Sequence, residues 1–175
     1  VLAELDALSQ TLTEPVKVRL LLEQDGTFTL QTVSLNIGAR PNPMRVGLAQ
    51  EPVDSQTIWL YHKTTRRHLY DAARASRPGC DDVILHNERG ELTEASSSNI
   101  ALLLNGELVT PPIESGLLGG TFRSYLLKNP AGWQKPNGLP LREKVLTIAD
   151  LARAEGIYLF NSVRGWGTAV YVPNL

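Results

Sequence analysis

Three short segments hold groups that chemistry could use. The first is Leu60-Tyr61-His62-Lys63-Thr64-Thr65-Arg66-Arg67, which sets a lysine at the end of an apolar stretch. Burying an ammonium is costly, so on its own Lys63 reads as a strand-end side chain snorkelling to solvent. The second is Leu92-Thr93-Glu94-Ala95-Ser96-Ser97-Ser98-Asn99-Ile100, a carboxylate followed by small polar residues that lead into a buried strand. On its own it reads as a Ser and Asn turn. The third is Gly116-Leu117-Leu118-Gly119-Gly120-Thr121-Phe122-Arg123. Glycines that open a helix suit an anion, because free N–H groups and the helix dipole point at it. Taken alone it is a glycine-rich loop. An amine, a carboxylate and an anion-binding helix start are what these segments offer.

Other constellations fail. His62, His68 and His86 show no recognisable metal-ligand spacing with one another or with Cys80, so no metal site is expected. Ser96, Ser97 and Ser98 lack the glycine flanks of a nucleophile elbow. The Gly116–Gly120 loop has neither the lysine of a phosphate-binding P-loop nor a dinucleotide fingerprint.

The elements that must position these groups are legible from pattern. Val16 to Leu22 predicts a strand, Asp25-Gly26 a hairpin turn, and Phe28 to Leu35 its return. Pro41, Pro43 and Pro52 make residues 38–57 a loop with room for one short strand. Ile58 to Tyr61 reads as a short apolar strand and Thr64 to Ala75 as a helix closed by Pro78-Gly79. Strands are expected at Asp82 to His86, at Ile100 to Leu104, and at Glu107 to Thr110 across an Asn105-Gly106 turn. Phe122, Tyr125 and Leu126 sit at helical spacing before Pro130. Thr147 and Asp150 are spaced for a capping box ahead of a short helix, and Ile157 to Phe160 is a further strand. Hairpins among strands with three helices argue for α+β rather than a doubly wound parallel sheet.

The bulk numbers exclude some classes. At 175 residues the chain suits one domain with a substantial core. A net charge of −1 gives no general attraction to nucleic acid or to an anionic membrane. One cysteine, Cys80, rules out an internal disulfide and fits a reducing cytoplasm. No apolar run nears the ~20 residues that span a bilayer. The chain opens Val-Leu-Ala-Glu with no initiator Met, from which we expect a piece of a longer protein.

Taken together and in order, these segments resemble the class IV aminotransferases, the fold-type IV pyridoxal-phosphate enzymes. The resemblance runs from about Val16 to Tyr171. It rests on Glu94-Ala95-Ser96-Ser97-Ser98-Asn99-Ile100, Thr110-Pro111-Pro112, Gly119-Gly120-Thr121-Phe122-Arg123 and Asn161-Ser162-Val163-Arg164-Gly165. Within the family, His62-Lys63-Thr64-Thr65 with Arg67 and Tyr70 is most similar to the 4-amino-4-deoxychorismate lyase segment fused behind para-aminobenzoate synthase component I.

The resemblance implies an α+β fold: the strand-rich, barrel-like larger domain of the D-amino-acid-aminotransferase-like fold, with a few peripheral helices. It implies pyridoxal 5'-phosphate as cofactor. Lys63 matches the lysine that carries it, and desolvation is expected to lower its pKa. Glu94 matches the acid that faces the ring nitrogen. The N–H groups of Thr121 and Phe122 match the phosphate cup, Ser162 adds a hydroxyl, and Thr168 is a weaker candidate for that job. Ser97 is expected against one face of the ring. Arg19 and Arg164 are the candidates for substrate carboxylates. The implied activity is a lyase that makes para-aminobenzoate and pyruvate. An amino-acid aminotransferase and a non-catalytic remnant of a fused synthase are the alternatives. The family builds its site between two domains, and nothing before Val16 resembles the smaller one. Residues 1–15 are therefore expected to be linker and 16–175 the cofactor domain. The implied partners are a missing N-terminal domain, a fused chorismate-using synthase and a second copy of the chain. The chain alone is expected to be a poor enzyme. His68 stands where some members have a tyrosine to the cofactor's phenolic oxygen, which puts that contact in doubt.

Overall fold

The apolar run that begins at Ile100 becomes the middle of a sheet with both faces covered. The computed structural model describes residues 1–36, 38, 40–130, 132, 133 and 135–173, and divides into Val1–Arg40 and Pro41–Leu175. The first unit holds α1 (Leu2–Thr11), β1 (Val16–Leu22) and β2 (Phe28–Ser34). The second holds β3 (Met44–Leu48), α2 (His68–Ala75), β4 (Asp82–His86), β5 (Leu92–Ala95), β6 (Asn99–Leu104) and β7 (Glu107–Thr110). It continues with α3 (Thr121–Lys128), β8 (Leu141–Glu143), α4 (Ile148–Arg153), β9 (Gly156–Asn161) and β10 (Gly165–Tyr171).

In the first unit β1 and β2 pair antiparallel from Val16↔Ser34 to Leu22↔Phe28. The expected turn forms: Gly26 takes φ +85°, and Asp25 Oδ1 accepts the N–H and the hydroxyl of Thr27 at 2.9 and 2.6 Å. α1 lies in the stretch expected to be linker, and it groups with the hairpin. The division thus falls after Arg40 rather than at residue 15.

In the second unit eight strands form one mixed sheet in the order β5-β4-β3-β10-β9-β6-β7-β8, curled into a half-barrel with few helices. The α+β expectation holds. Parallel pairing joins β3 to β4 and to β10, and β7 to β8; the other neighbours are antiparallel. The period-2 alternation of a strand explains why apolar runs sit at its centre. Ile100, Leu102 and Leu104 of β6 face one core with Ile157 and Leu159 of β9. Ala101 and Phe160 face the other, where α3 adds Leu126. On β4, Ile84 joins the first core while Val83 and Leu85 pack under Leu69, Tyr70 and Ala73 of α2. Burying a leucine or phenylalanine side chain contributes about 1.5–3 kcal/mol, so these layers fix where α2 and α3 lie.

Two expectations change. Ile58–Leu60 is a 3₁₀ turn, not a strand: Leu60 and Tyr61 N–H groups bond to the Thr57 and Ile58 carbonyls at 3.1 Å. Leu60 is 2% exposed, whereas Ile58 and Trp59 are 59% and 42% exposed. The helix expected from Thr64 begins at His68, after an irregular stretch. β5, β8 and β10 were not anticipated. The short strand allowed in residues 38–57 is β3, and Pro43 and Pro52 lie just outside it, where a missing N–H costs no ladder bond. Among the described residues no helix is long and apolar enough to cross a membrane.

Candidate functional site

Glu94 lies on β5, between β4 and the turn that opens β6, and is 5% exposed. Two donors reach its Oε1: the Tyr70 hydroxyl, from α2, at 2.8 Å and the Leu118 N–H at 3.3 Å. Burial pushes the carboxyl up to about 7; the Tyr70 and Leu118 hydrogen bonds and the charges of Lys63 and Arg67 act against that rise. Burial and the neighbouring Glu94 raise Tyr70 in turn, so its phenol keeps its proton. Arg67 lies 5.0 Å over the Tyr70 ring and donates to the Ser96 carbonyl at 2.7 Å.

Lys63 is exposed in the irregular stretch between the 3₁₀ turn and α2. The picture of a lysine against an apolar strand is corrected here, because the preceding residues turn instead of extending. Its charge acts against the rise that burial gives Glu94. A polar network holds the loops on either side. Ser55 gives its N–H and hydroxyl to Glu88 at 2.9 and 2.7 Å. Arg89 bridges Glu88 and Glu91 at 2.6 and 2.8 Å, and Glu91 accepts the Ser115 hydroxyl at 3.0 Å. Hydrogen bonds from Ser55 hold Glu88 down at about 2, and the Arg89 hydrogen bond does the same for Glu91.

The third segment forms the start of α3. Gly116 takes φ +94° with Ser55 packed close against it, a backbone that favours glycine. A Cβ on Gly120 would fall 2.3 Å from Asn99 Oδ1, and the Asn99 amide donates to the Leu118 carbonyl at 2.9 Å. The first N–H groups of a helix have no partner one turn back, which leaves those of Thr121 and Phe122 for a ligand. The Thr121 hydroxyl lies 2.7 Å from that of Ser162, in the turn between β9 and β10. Phe122 packs edge-on against Trp133, Phe160 and Trp166.

Ser97 is exposed in the Ser96-Ser97 turn, its hydroxyl 3.4 Å from Asp82. Asp82 also accepts the Ser96 hydroxyl at 2.5 Å. Asn161 ties this turn to the one bearing Ser162: its amide donates to the Ser97 carbonyl and the Ser98 hydroxyl at 3.2 and 3.1 Å. Its oxygen accepts the N–H groups of Val163 and Arg164. Ser97, Thr121 and Ser162 thus form one group, linked to Glu94 through residues 94–99 and 118–121.

Arg19 is exposed on β1 in the first unit. Arg164 is exposed in the β9–β10 turn. Thr168 gives both its N–H and its hydroxyl to Asn42 Oδ1, at 2.9 and 2.6 Å, which engages the group considered for a phosphate. His68 is exposed at the first position of α2. The sequence reading gave no role to Tyr70, the Leu118 N–H, Asp82 or Asn161. Tyr70 and Asn161 stand within quoted motifs, which is the one signal that marks them.

The amino-transferase class IV model matches residues 5–170. A Schizosaccharomyces pombe protein named "Putative aminodeoxychorismate lyase" is 31% identical over 157 residues, 87% of this chain and 65% of that protein. A Thermotoga maritima "Probable branched-chain-amino-acid aminotransferase" is 33% identical over 103 residues, 59% of this chain and 36% of its own length. The chain therefore covers less than two thirds of these curated relatives. Among solved structures, an amino-acid aminotransferase from Mesorhizobium loti, titled putative, superposes with a TM-score of 0.85 at 32% identity, over 97% of this chain and 80% of that one. With a family match over nearly its whole length, the chain belongs to the class IV aminotransferases, whose cofactor is pyridoxal 5'-phosphate.

Proposed function

We propose that this chain carries the cofactor-binding machinery of a pyridoxal-phosphate lyase that converts 4-amino-4-deoxychorismate to para-aminobenzoate and pyruvate. The observation that carries the cofactor reading is Glu94, a carboxyl 5% exposed whose two donors both engage Oε1. Among the described residues Oε2 accepts none, which suits a protonated ring nitrogen. The Gly120 backbone, too close to Asn99 to bear a side chain, and the paired hydroxyls of Thr121 and Ser162 suit a phosphate.

When bound, the cofactor supplies an aldehyde to an amine and a ring that draws electrons from the adjacent carbon. Lys63 Nζ anchors it and, once the substrate amine replaces it, takes the proton from the amine-bearing carbon. Glu94 holds the ring proton and so keeps the ring positive. The N–H groups of Thr121 and Phe122, with the Thr121 and Ser162 hydroxyls, hold the phosphate, and Ser97 lines one face. Arg164 remains the proposed partner of a substrate carboxylate.

The choice of a lyase is supported by the relative so named, which matches 87% of this chain. The aminotransferase reading uses the same residues and is supported by the M. loti likeness. The assay mixes the protein with pyridoxal phosphate and aminodeoxychorismate and follows pyruvate and para-aminobenzoate together. Both products rising in step support the lyase. Amino transfer to a keto acid, with no pyruvate released, moves the assignment to an aminotransferase.

A further inference from the structure

Among the described residues the two donors on Glu94 leave its second oxygen open, and one of them is a side chain that the mechanism above does not use. Tyr70 reaches Oε1 at 2.8 Å from a helix packed on β4 through Leu69, Tyr70 and Ala73. Its ring is covered by Arg67, which is itself anchored on the carbonyl of Ser96, two residues past Glu94. We propose that Tyr70 is a positioning residue that acts on the bound cofactor through Glu94: its hydroxyl, donated to Oε1, favours the charged carboxylate and leaves Oε2 for the ring nitrogen. This rests on the reading of Glu94 given above.

The physics is one of competing donors. A hydrogen bond donated to a carboxylate favours its charged form, and burial favours the neutral one. A neutral Glu94 would carry its own proton and offer the ring nitrogen a dipole where a charge is needed. Tyr70 donates throughout the neutral range, since burial and Glu94 both hold its proton in place. The charged groups acting on Glu94 are Lys63 and Arg67, both cationic and both favouring the carboxylate. Tyr70 and the Leu118 N–H add two hydrogen bonds to the same effect.

Tyr70→Phe removes the hydroxyl and keeps the packed ring. The test begins with the cofactor-free full chain, labelled with ¹³C at glutamate carboxyls, with Glu94→Gln identifying the Glu94 signal. Burial pushes the wild-type carboxyl up to about 7, where its midpoint is expected. In Tyr70→Phe the midpoint is expected at about 8 or above, from the strength of a hydrogen bond to a charged group. Tyr61→Phe, whose hydroxyl serves the Ser55 carbonyl, leaves the midpoint in place. The dissociation constant for pyridoxal phosphate rises about tenfold in Tyr70→Phe. An unmoved midpoint, or an unmoved dissociation constant, overturns the proposal. Because the titration is run without cofactor, that failure is separate from the failure of the site reading, which shows as cofactor that never attaches to Lys63.

Discussion

The hydroxyls of Thr121 and Ser162 lie 2.7 Å apart across a sequence gap of forty-one residues, one on the first residue of α3 and the other in the β9–β10 turn. Both residues are exposed, so the bond does little for the core.

If the pair serves a phosphate, its loss should appear in ligand affinity and not in stability. Ser162→Ala and Thr121→Ala are each expected to weaken pyridoxal-phosphate binding about tenfold while unfolding changes by less than about 0.5 kcal/mol. The double variant should fall short of the product of the two, because the groups share one ligand and one another. Absorbance titration and urea melts together check this. Loss of stability with affinity intact would make the pair a structural tie.

Lys63 should be the sole point of cofactor attachment. Borohydride reduction of the loaded protein followed by peptide mapping is expected to give one phosphopyridoxyl lysine, at 63. Label on Lys17, Lys128, Lys135 or Lys144 instead would sink the assignment.

Glu94 makes the cofactor-free chain pH-sensitive in a direction opposite to that of a salt-bridged acid. Burial pushes its folded-state pKa to about 7, above the 4.5 of a free carboxyl, so the folded state holds the extra proton between them. Stability therefore falls as pH rises from about 4.5 to about 7, by on the order of 3 kcal/mol, and levels off above. Glu94→Gln should flatten that slope in urea melts at pH 5 and pH 8. In the loaded enzyme the same change should cost ~10²–10³ in turnover, because an amide cannot hold the ring's charge. A Glu94→Gln protein with the wild-type pH slope would contradict the buried, protonatable carboxyl.

Asp82, 1% exposed, accepts from Ser96 and from the Val83 N–H, and so fastens the turn that follows Glu94 to the start of β4. Asp82→Ala leaves those donors buried and unserved, and is expected to cost about 3 kcal/mol. The Asn161 side chain would then grip a loosened turn. A melt within about 0.5 kcal/mol of wild type would show that water replaces the carboxylate.

What the sequence made legible was local. The β6–β7 hairpin announces itself because Asn105 and Gly106 take the positive φ that their types favour. α4 is legible because the Thr147 N–H and hydroxyl both find Asp150 three residues on. Ile58 to Tyr61 misled because four apolar letters in a row fit a strand, while only Leu60 is buried. β10 escaped notice because Gly165 and Gly167 dilute its pattern, and β8 because three residues hold no period. In the candidate site, Lys63, Glu94 and the helix start stand out by type and motif. Tyr70 is marked by motif but its role is not legible, since the residue that gives its hydroxyl a purpose lies twenty-four positions away, on a strand brought near by the packing of α2 on β4.

The Asn99 side chain fills the space beside Gly120 and so ties together positions that are distant in the chain. Any larger residue there must drive the Asn99 side chain aside, and that side chain holds the Leu118 carbonyl while the Leu118 N–H holds Glu94. A library randomised at 120 alone should therefore return glycine almost exclusively. One randomised at 99 and 120 together should return a shorter residue at 99 whenever 120 grows, and those clones should bind Glu94 to Leu118 less firmly. Within this loop, mutational freedom belongs to the set of four residues and not to any one of them.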